Sequence, residues 1–279
     1  MEQRAPTERR PPRAPVRSSG ARGTSHPQRG RDNQTAVARR SDRTVPHVRV
    51  QRTGGDKFLF VDGSCASIWR PGHAFTGGSW DLLAAPVLLA PSDRAPRVLL
   101  LGVGGGTVIR VVRALRPEAD IVAIDLDAEV LAVARRAFAL DSLGARIVCT
   151  DAQRYVAESN GRAPFDVIID DIYEPDGAGM RKPDGWRTTL RGAVACLNPG
   201  GVLVCNALDA RDATTLVGAL PKPVIALAHA DYHNRILVVG RRRTLTARAV
   251  GRTLRACPAL APTMRSTSVR LVTHPPRGM

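Results

Sequence analysis

Residues 97–107 read Arg-Val-Leu-Leu-Leu-Gly-Val-Gly-Gly-Gly-Thr, an apolar run that passes directly into a glycine-rich turn. Val108, Ile109, Val111, Val112 and Leu115 follow at the spacing of one helix face. A buried strand, a glycine turn and a helix start form the opening unit of a nucleotide-binding crevice in an open α/β sheet. Gly102, Gly104 and Gly106 let the backbone turn tightly and approach a ligand where a Cβ would obstruct it. Taken alone, the same turn also serves plain helix–sheet packing. The spacing is G-x-G-x-G, with Thr107 where a dinucleotide fingerprint has its last glycine.

The following segments extend the pattern. Ile121-Val-Ala-Ile124 is a second apolar strand closing at Asp125, nineteen residues past Gly106. An acid there is placed to accept hydrogen bonds from two ribose hydroxyls, or stands as a solvated strand end. Asp127 caps a helix whose inner face carries Val130, Leu131, Ala134 and Phe138. The short strand Arg146–Cys149 stops before Asp151, which either bonds an adenine amine or caps the next helix.

Phe165-Asp-Val-Ile-Ile169 is a fourth strand and ends in a carboxylate cluster, Asp170, Asp171, Glu174 and Asp176. Acids at the carboxyl end of a buried strand lie in the ligand crevice of such a sheet, unless they form a solvated acidic loop. Grouped carboxylates repel unless a cation or hydrogen-bond donors offset them, and an amine substrate would supply that cation. Cys196-Leu-Asn-Pro-Gly-Gly201 then stops a helix and opens the strand Val202–Cys205.

Over residues 58–240 these segments resemble the spermidine synthase-like family and, more broadly, the class I methyltransferases. The resemblance rests on Leu-Leu-Gly-Val-Gly-Gly-Gly, Ala-Ile-Asp-Leu-Asp, Phe-Asp-Val-Ile-Ile-Asp-Asp-Ile-Tyr-Glu-Pro and Leu-Asn-Pro-Gly-Gly. It implies S-adenosylmethionine or its decarboxylated form as donor and a small amine as acceptor, as in polyamine biosynthesis; no metal is expected, since the cysteines and histidines show no ligand spacing. The family's Asp-x-x-Asp-Pro motif falls on Asp171-Ile-Tyr-Glu174-Pro175, which makes Asp171 the base and Glu174 the group holding the amine. Asp125 takes the ribose role, and Pro183–Thr188 stands at the gate segment. Gly102, Gly104, Gly106 and Asp151 complete the donor site. Asp170 shares the catalytic assignment with Asp171, because no sequence argument separates the two. Tyr173 either lines the acceptor pocket or packs on the sheet edge.

Three departures bear on the substrate. Aminopropyltransferases carry an acid in the glycine loop that meets the donor's ammonium, and here Thr107 stands nearest. Ser79-Trp-Asp-Leu82 replaces the family's Tyr-His-Glu segment, and its late polyamine-lining aromatic residues have no counterpart. Aminopropyl transfer to an amine is therefore set against methyl transfer to an unknown small substrate, which needs no such anchor. A non-catalytic nucleoside-binding or nucleic-acid-associated protein is the third reading. Both transfers displace a sulfonium at carbon, so the protein must align the reactants and take a proton.

The net charge of +16 suggests a nucleic-acid partner, but its distribution does not favour one. Residues 1–52 hold thirteen Arg and four acids, and residues 241–279 hold nine Arg and no acid, so the middle is slightly acidic. Residues 1–46, rich in Arg, Pro, Ser and Gly, cannot bury enough surface to fold and read as a disordered tail. Five scattered cysteines with no C-x-x-C pair argue against zinc and for a reduced, cytoplasmic setting. No window is apolar for long enough to span a membrane.

The predicted architecture is a doubly wound, mostly parallel seven-stranded α/β sheet, class I methyltransferase-like. Residues 47–78 precede it as a small β-hairpin unit turning at Asp62-Gly63, which such families use in homodimers. Residues 79–240 form the nucleoside-binding transferase domain, opening with a helix over Trp80–Leu89. Helix Asp209–Leu220 and strands Val224–Leu227 and Arg235–Val239 close it. Residues 241–279 are expected to form a basic helix, Ala247–Cys257, and a tail.

Overall fold

The computed structural model describes residues 46–159, 164–177, 179–241 and 245–272. The predicted tail, 1–46, lies almost wholly outside them. Strands β1 (Val48–Thr53), β2 (Asp56–Val61) and β3 (Ser64–Trp69) form an antiparallel sheet of their own. The Asp62-Gly63 hairpin is present, both residues having positive φ (47° and 81°), as a type I′ turn requires. The sequence predicts two strands here. The third, β1, alternates apolar and polar residues too briefly to stand out, and it is held by pairing with β2 from Val48↔Val61 to Thr53↔Asp56.

After helix α1 (Ser79–Ala84) the chain tightens into a 3-10 segment, Ala85–Leu89, with Pro86 in its first turn. The predicted single helix Trp80–Leu89 is therefore two pieces, since proline cannot donate the bond that would continue the first. The βα units then follow in order: β4 (Arg97–Leu101), α2 (Thr107–Leu115), β5 (Asp120–Asp125), α3 (Ala128–Phe138), β6 (Arg146–Cys149), α4 (Ala152–Ser159) and β7 (Phe165–Asp170). A small hairpin, β8 (Glu174–Asp176) and β9 (Gly179–Arg181), leads to α5 (Trp186–Ala195). Strand β10 (Leu197–Ala207), helix α6 (Ala210–Ala219), β11 (Val224–His229), β12 (Arg235–Gly240), α7 (Ala247–Arg255), α8 (Ala261–Arg265) and β13 (Thr267–Leu271) complete the described part.

Among the described residues the main sheet has eight strands, in the order β13-β11-β12-β10-β7-β4-β5-β6. The pairings from β10 to β6 are parallel, and β12 and β13 run against their neighbours. The eighth strand corrects the predicted count of seven. Thr267–Leu271 reads as tail because its face is polar, yet it pairs with β11 from Ile225↔Leu271 to His229↔Thr267. The segment after residue 240 is thus part of the sheet as well as a basic helix.

Alternation along the strands divides the core into two layers. Val98, Leu100, Ile121, Ala123, Val167 and Ile169 face the layer with α1, α2 and α7. Leu99, Leu101, Val122, Ile124 and Ile168 face the layer with α4, α5 and α6. This is why the strands read as continuous apolar runs: both faces are covered. The three-stranded sheet lays Val48 and Leu59 on Val130 and Phe138 of α3. His47 fastens the same junction, with its Nδ1 2.9 Å from Asp62 Oδ1 and its other ring nitrogen against Asp127.

Candidate active site

The carboxyl ends of β4, β5, β7 and β10 meet along one edge of the sheet. At that edge Gly102 takes φ 92°, and a Cβ there would stand 2.7 Å from the Asp171 carbonyl oxygen. Only glycine lets the turn after β4 lie so close to the chain leaving β7. Asp171 N in turn donates to Leu101 O at 2.9 Å. The turn and the predicted base are therefore direct neighbours.

The rest of the turn is gripped from the small sheet. Ser67 Oγ accepts from Gly105 N at 2.7 Å, and Gly104 has no room for a Cβ beside the same oxygen, at 2.7 Å. Thr107 Oγ1 accepts from Ile68 N (3.0 Å) and donates to Ile68 O (2.8 Å). The residue standing where aminopropyltransferases have a loop acid thus ties β3 to the start of α2. Beneath the turn, buried Arg110 donates to Gly105 O at 2.9 Å and to Phe138 O. Burial lowers its guanidinium pKa to about 10.

Asp125 closes β5 as predicted. Its Oδ2 accepts from Val103 N (2.9 Å) and Gly104 N (3.2 Å), and its Oδ1 from Asp127 N (3.0 Å). Burial raises its pKa, and the three amides act against that rise. A carboxylate offers about four acceptor sites, so roughly one remains for a ligand hydroxyl rather than the two bonds predicted. Next to it Leu126 is 69% exposed, one of two large exposed hydrophobic side chains among the described residues. An acid beside a bare apolar side chain suits a sugar joined to a flat base. Asp127 caps α3 through Glu129 N and Val130 N. Of the two readings of Asp151, capping is realised: its Oδ1 accepts from Arg154 N at 2.8 Å.

The carboxylate cluster separates into distinct environments. Asp170 is buried, its Oδ2 2.8 Å from Lys182 Nζ. Glu174 Oε1 pairs with Arg181 Nη2 at 2.5 Å, across the β8–β9 ladder in which these two residues are partners. Asp171 accepts from Asn206 Nδ2 at 2.7 Å. Burial pushes the Asp171 carboxyl up to about 6; Asn206 and the Lys182 charge oppose the rise and Asp170 adds to it. Tyr173 lies under Lys182, with its hydroxyl 2.6 Å from Asn206 O and against Asp212. Burial and the Asp212 carboxylate raise its pKa.

The cation that the cluster requires is therefore supplied by the chain itself, through Arg181 and Lys182. Sequence reasoning missed this pair, although Pro175, Gly177 and Gly179 signal a turn that brings residue 181 opposite residue 174. It also missed Asn234, and it marks Asn206 only as a strand end near the crevice. Asn206 closes β10, and its Oδ1 accepts from Asn234 Nδ2 at 2.9 Å. A cavity of about 500 Å³ opens farther along, beside His229, Tyr232, Arg235 and Arg270, and none of the predicted site residues lines it. Among the described residues no helix is long and apolar enough to cross a membrane.

Residues 98–201 match the model of a family described as a methyltransferase domain. A polyamine aminopropyltransferase of Aeropyrum pernix is 32% identical over 166 residues, 57% of this chain and 51% of that protein. A release factor glutamine methyltransferase of Deinococcus radiodurans is 31% identical over 175 residues, 56% of this chain and 59% of that protein. A solved structure of a probable spermidine synthase from Corynebacterium glutamicum shares the fold, with TM-score 0.62 at 18% identity, covering 80% of this chain and 87% of that chain. The chain spans about half the length of the curated relatives it matches.

Proposed function

Because the chain has a spermidine synthase-like, class I methyltransferase fold, we propose that it is a transferase moving an alkyl group from a sulfonium nucleoside to an amine. The donor in this reading is decarboxylated S-adenosylmethionine and the group is aminopropyl, as the names of the aminopropyltransferase relatives suggest. The observation that carries the proposal is the placement of Asp171. It is an acid with a pKa of about 6, held against the glycine turn.

Asp125 bonds a sugar hydroxyl, Leu126 covers the base, and the turn at Gly102–Gly106 sets the donor's reacting carbon beside Asp171. The amine nitrogen gives its lone pair to that carbon. The carbon–sulfur bond breaks, sulfur keeps the pair and leaves as a neutral thioether, and Asp171 takes the proton lost by nitrogen. The sulfonium leaves readily, so alignment and proton removal are the protein's contributions. Ionised Asp171 does this near neutrality, which agrees with a carboxyl tuned to about 6. A reduced, cytoplasmic setting is part of the same proposal, and the scattered cysteines support it.

One observation favours a second reading. Thr107 is committed to Ile68, so no acid of the loop receives an aminopropyl ammonium. Methyl transfer from S-adenosylmethionine has no such need. Calorimetric titration with S-adenosylmethionine and with its decarboxylated form, followed by mass analysis of amine products, tests both readings. Tighter binding of the decarboxylated donor and acceptors heavier by one aminopropyl group are expected. Methylated products support the second reading, and failure of both donors to bind overturns both.

A further inference from the structure

The ammonium of Lys182 occupies a site built for an ammonium. Its Nζ is 2.8 Å from Asp170 Oδ2, and the two side chains are 5% and 6% exposed. It also lies 4.0 Å from the centroid of the Tyr173 ring. A carboxylate at hydrogen-bond distance and an aromatic face are the two groups that recognise an alkylammonium. One residue earlier, Arg181 holds Glu174 at 2.5 Å. Of Asp170, Asp171 and Glu174, only Asp171 makes no ion pair among the described residues, and its partner is the neutral amide of Asn206.

We infer that Lys182 fills the ammonium subsite of the acceptor pocket, so that the acceptor of this chain carries a single amino group: a monoamine rather than a diamine or polyamine. The inference rests on reading the crevice as an alkyl-transfer site. A monoamine presents one nitrogen, which Asp171 deprotonates and which then attacks the donor carbon. A diamine brings a second ammonium. That charge must lie beside Lys182, where like charges repel, or displace it from a buried carboxylate, which leaves Lys182 without its partner. Lys182 follows β9 directly, so the β8–β9 hairpin holds it in place through the Glu174–Arg181 pairing.

The test measures equilibrium binding of butane-1,4-diamine and butan-1-amine to the full chain, each with and without 5′-methylthioadenosine. Wild-type protein is expected to bind the monoamine at least as tightly as the diamine. Lys182→Met and Lys182→Ala, by freeing Asp170 and the Tyr173 face, are expected to bind the diamine about tenfold more tightly than wild type, with the monoamine little changed. Adding Asp170→Asn to Lys182→Met is expected to abolish that gain. Wild-type preference for the diamine overturns the inference, and so does a folded Lys182→Met protein with unchanged or absent diamine binding. The wild-type comparison decides the matter alone if the variants do not fold. Failure of the alkyl-transfer reading appears separately, as absence of nucleoside binding, whereas the Lys182 effect on diamine binding is also read without nucleoside.

Discussion

The side-chain amide of Asn206 donates to Asp171 at 2.7 Å, from the end of a neighbouring parallel strand. Asn234, at 2.9 Å from Asn206 Oδ1, fixes which end of that amide faces the acid. The donor stabilises the ionised carboxylate, so its removal raises the Asp171 pKa. In Asn206→Ala the acidic limb of kcat/KM is expected to move about one unit toward higher pH. Asn234→Ala, which frees the amide to turn its oxygen toward Asp171, is expected to shift the limb in the same direction by less. A pH–rate profile checks both; a limb that stays in place removes Asn206 from the site.

Asp171→Asn removes the proposed base. Turnover is expected to fall by about 10²–10⁴, with donor affinity retained in calorimetry.

The same variant carries a stability signature. The Asp171 carboxyl has a pKa of about 6 when folded, against an ordinary 3.8. The stabilising contribution is full below the lower value and lost as pH rises through the upper one. Wild type is expected to lose up to about 3 kcal/mol from this group between pH 4 and 7. Asp171→Asn lacks that loss, so denaturant unfolding of the two proteins at pH 4 and pH 7 should converge in acid and diverge at neutrality.

Leu126→Ser tests the proposed nucleoside site without touching the core, because the side chain is already exposed. Thermal stability is expected to stay within about 0.5 kcal/mol of wild type. Adenosyl-nucleoside affinity is expected to fall about tenfold as the apolar contact is lost.

Gly102→Ala places a methyl 2.7 Å from the Asp171 carbonyl oxygen at a φ of 92°. A loss of about 1–3 kcal/mol in stability is expected, with activity falling further than stability because the turn and the proposed base are displaced together. Chemical denaturation alongside initial rates separates the two effects.

The parallel half of the fold was legible because β4, β5 and β7 are buried on both faces and written as unbroken apolar runs. Strand β13 was not, because Thr267 and Ser268 give an edge strand no apolar signature and its pairing with β11 spans some forty residues. The site divides in the same way. Asp125 is readable because it terminates an apolar run at that edge, and the Asp170–Asp171 pair because it closes another, although the run does not tell the two acids apart. Lys182, Asn206 and Asn234 act through contacts between separate elements, and local spacing encodes none of these. The sequence also marks a need for positive charge near residue 170 without saying that Lys182 supplies it.

Ser67 and Ile68 belong to the small sheet, yet they hold the amide and hydroxyl of Gly105 and Thr107 in and just after the glycine turn. In the proposed reading, seating of that sheet and capture of a nucleoside are two faces of one equilibrium. Any ligand that stiffens the turn should slow proteolysis and amide exchange along residues 64–69 by the same free energy with which an undocked sheet would weaken that ligand.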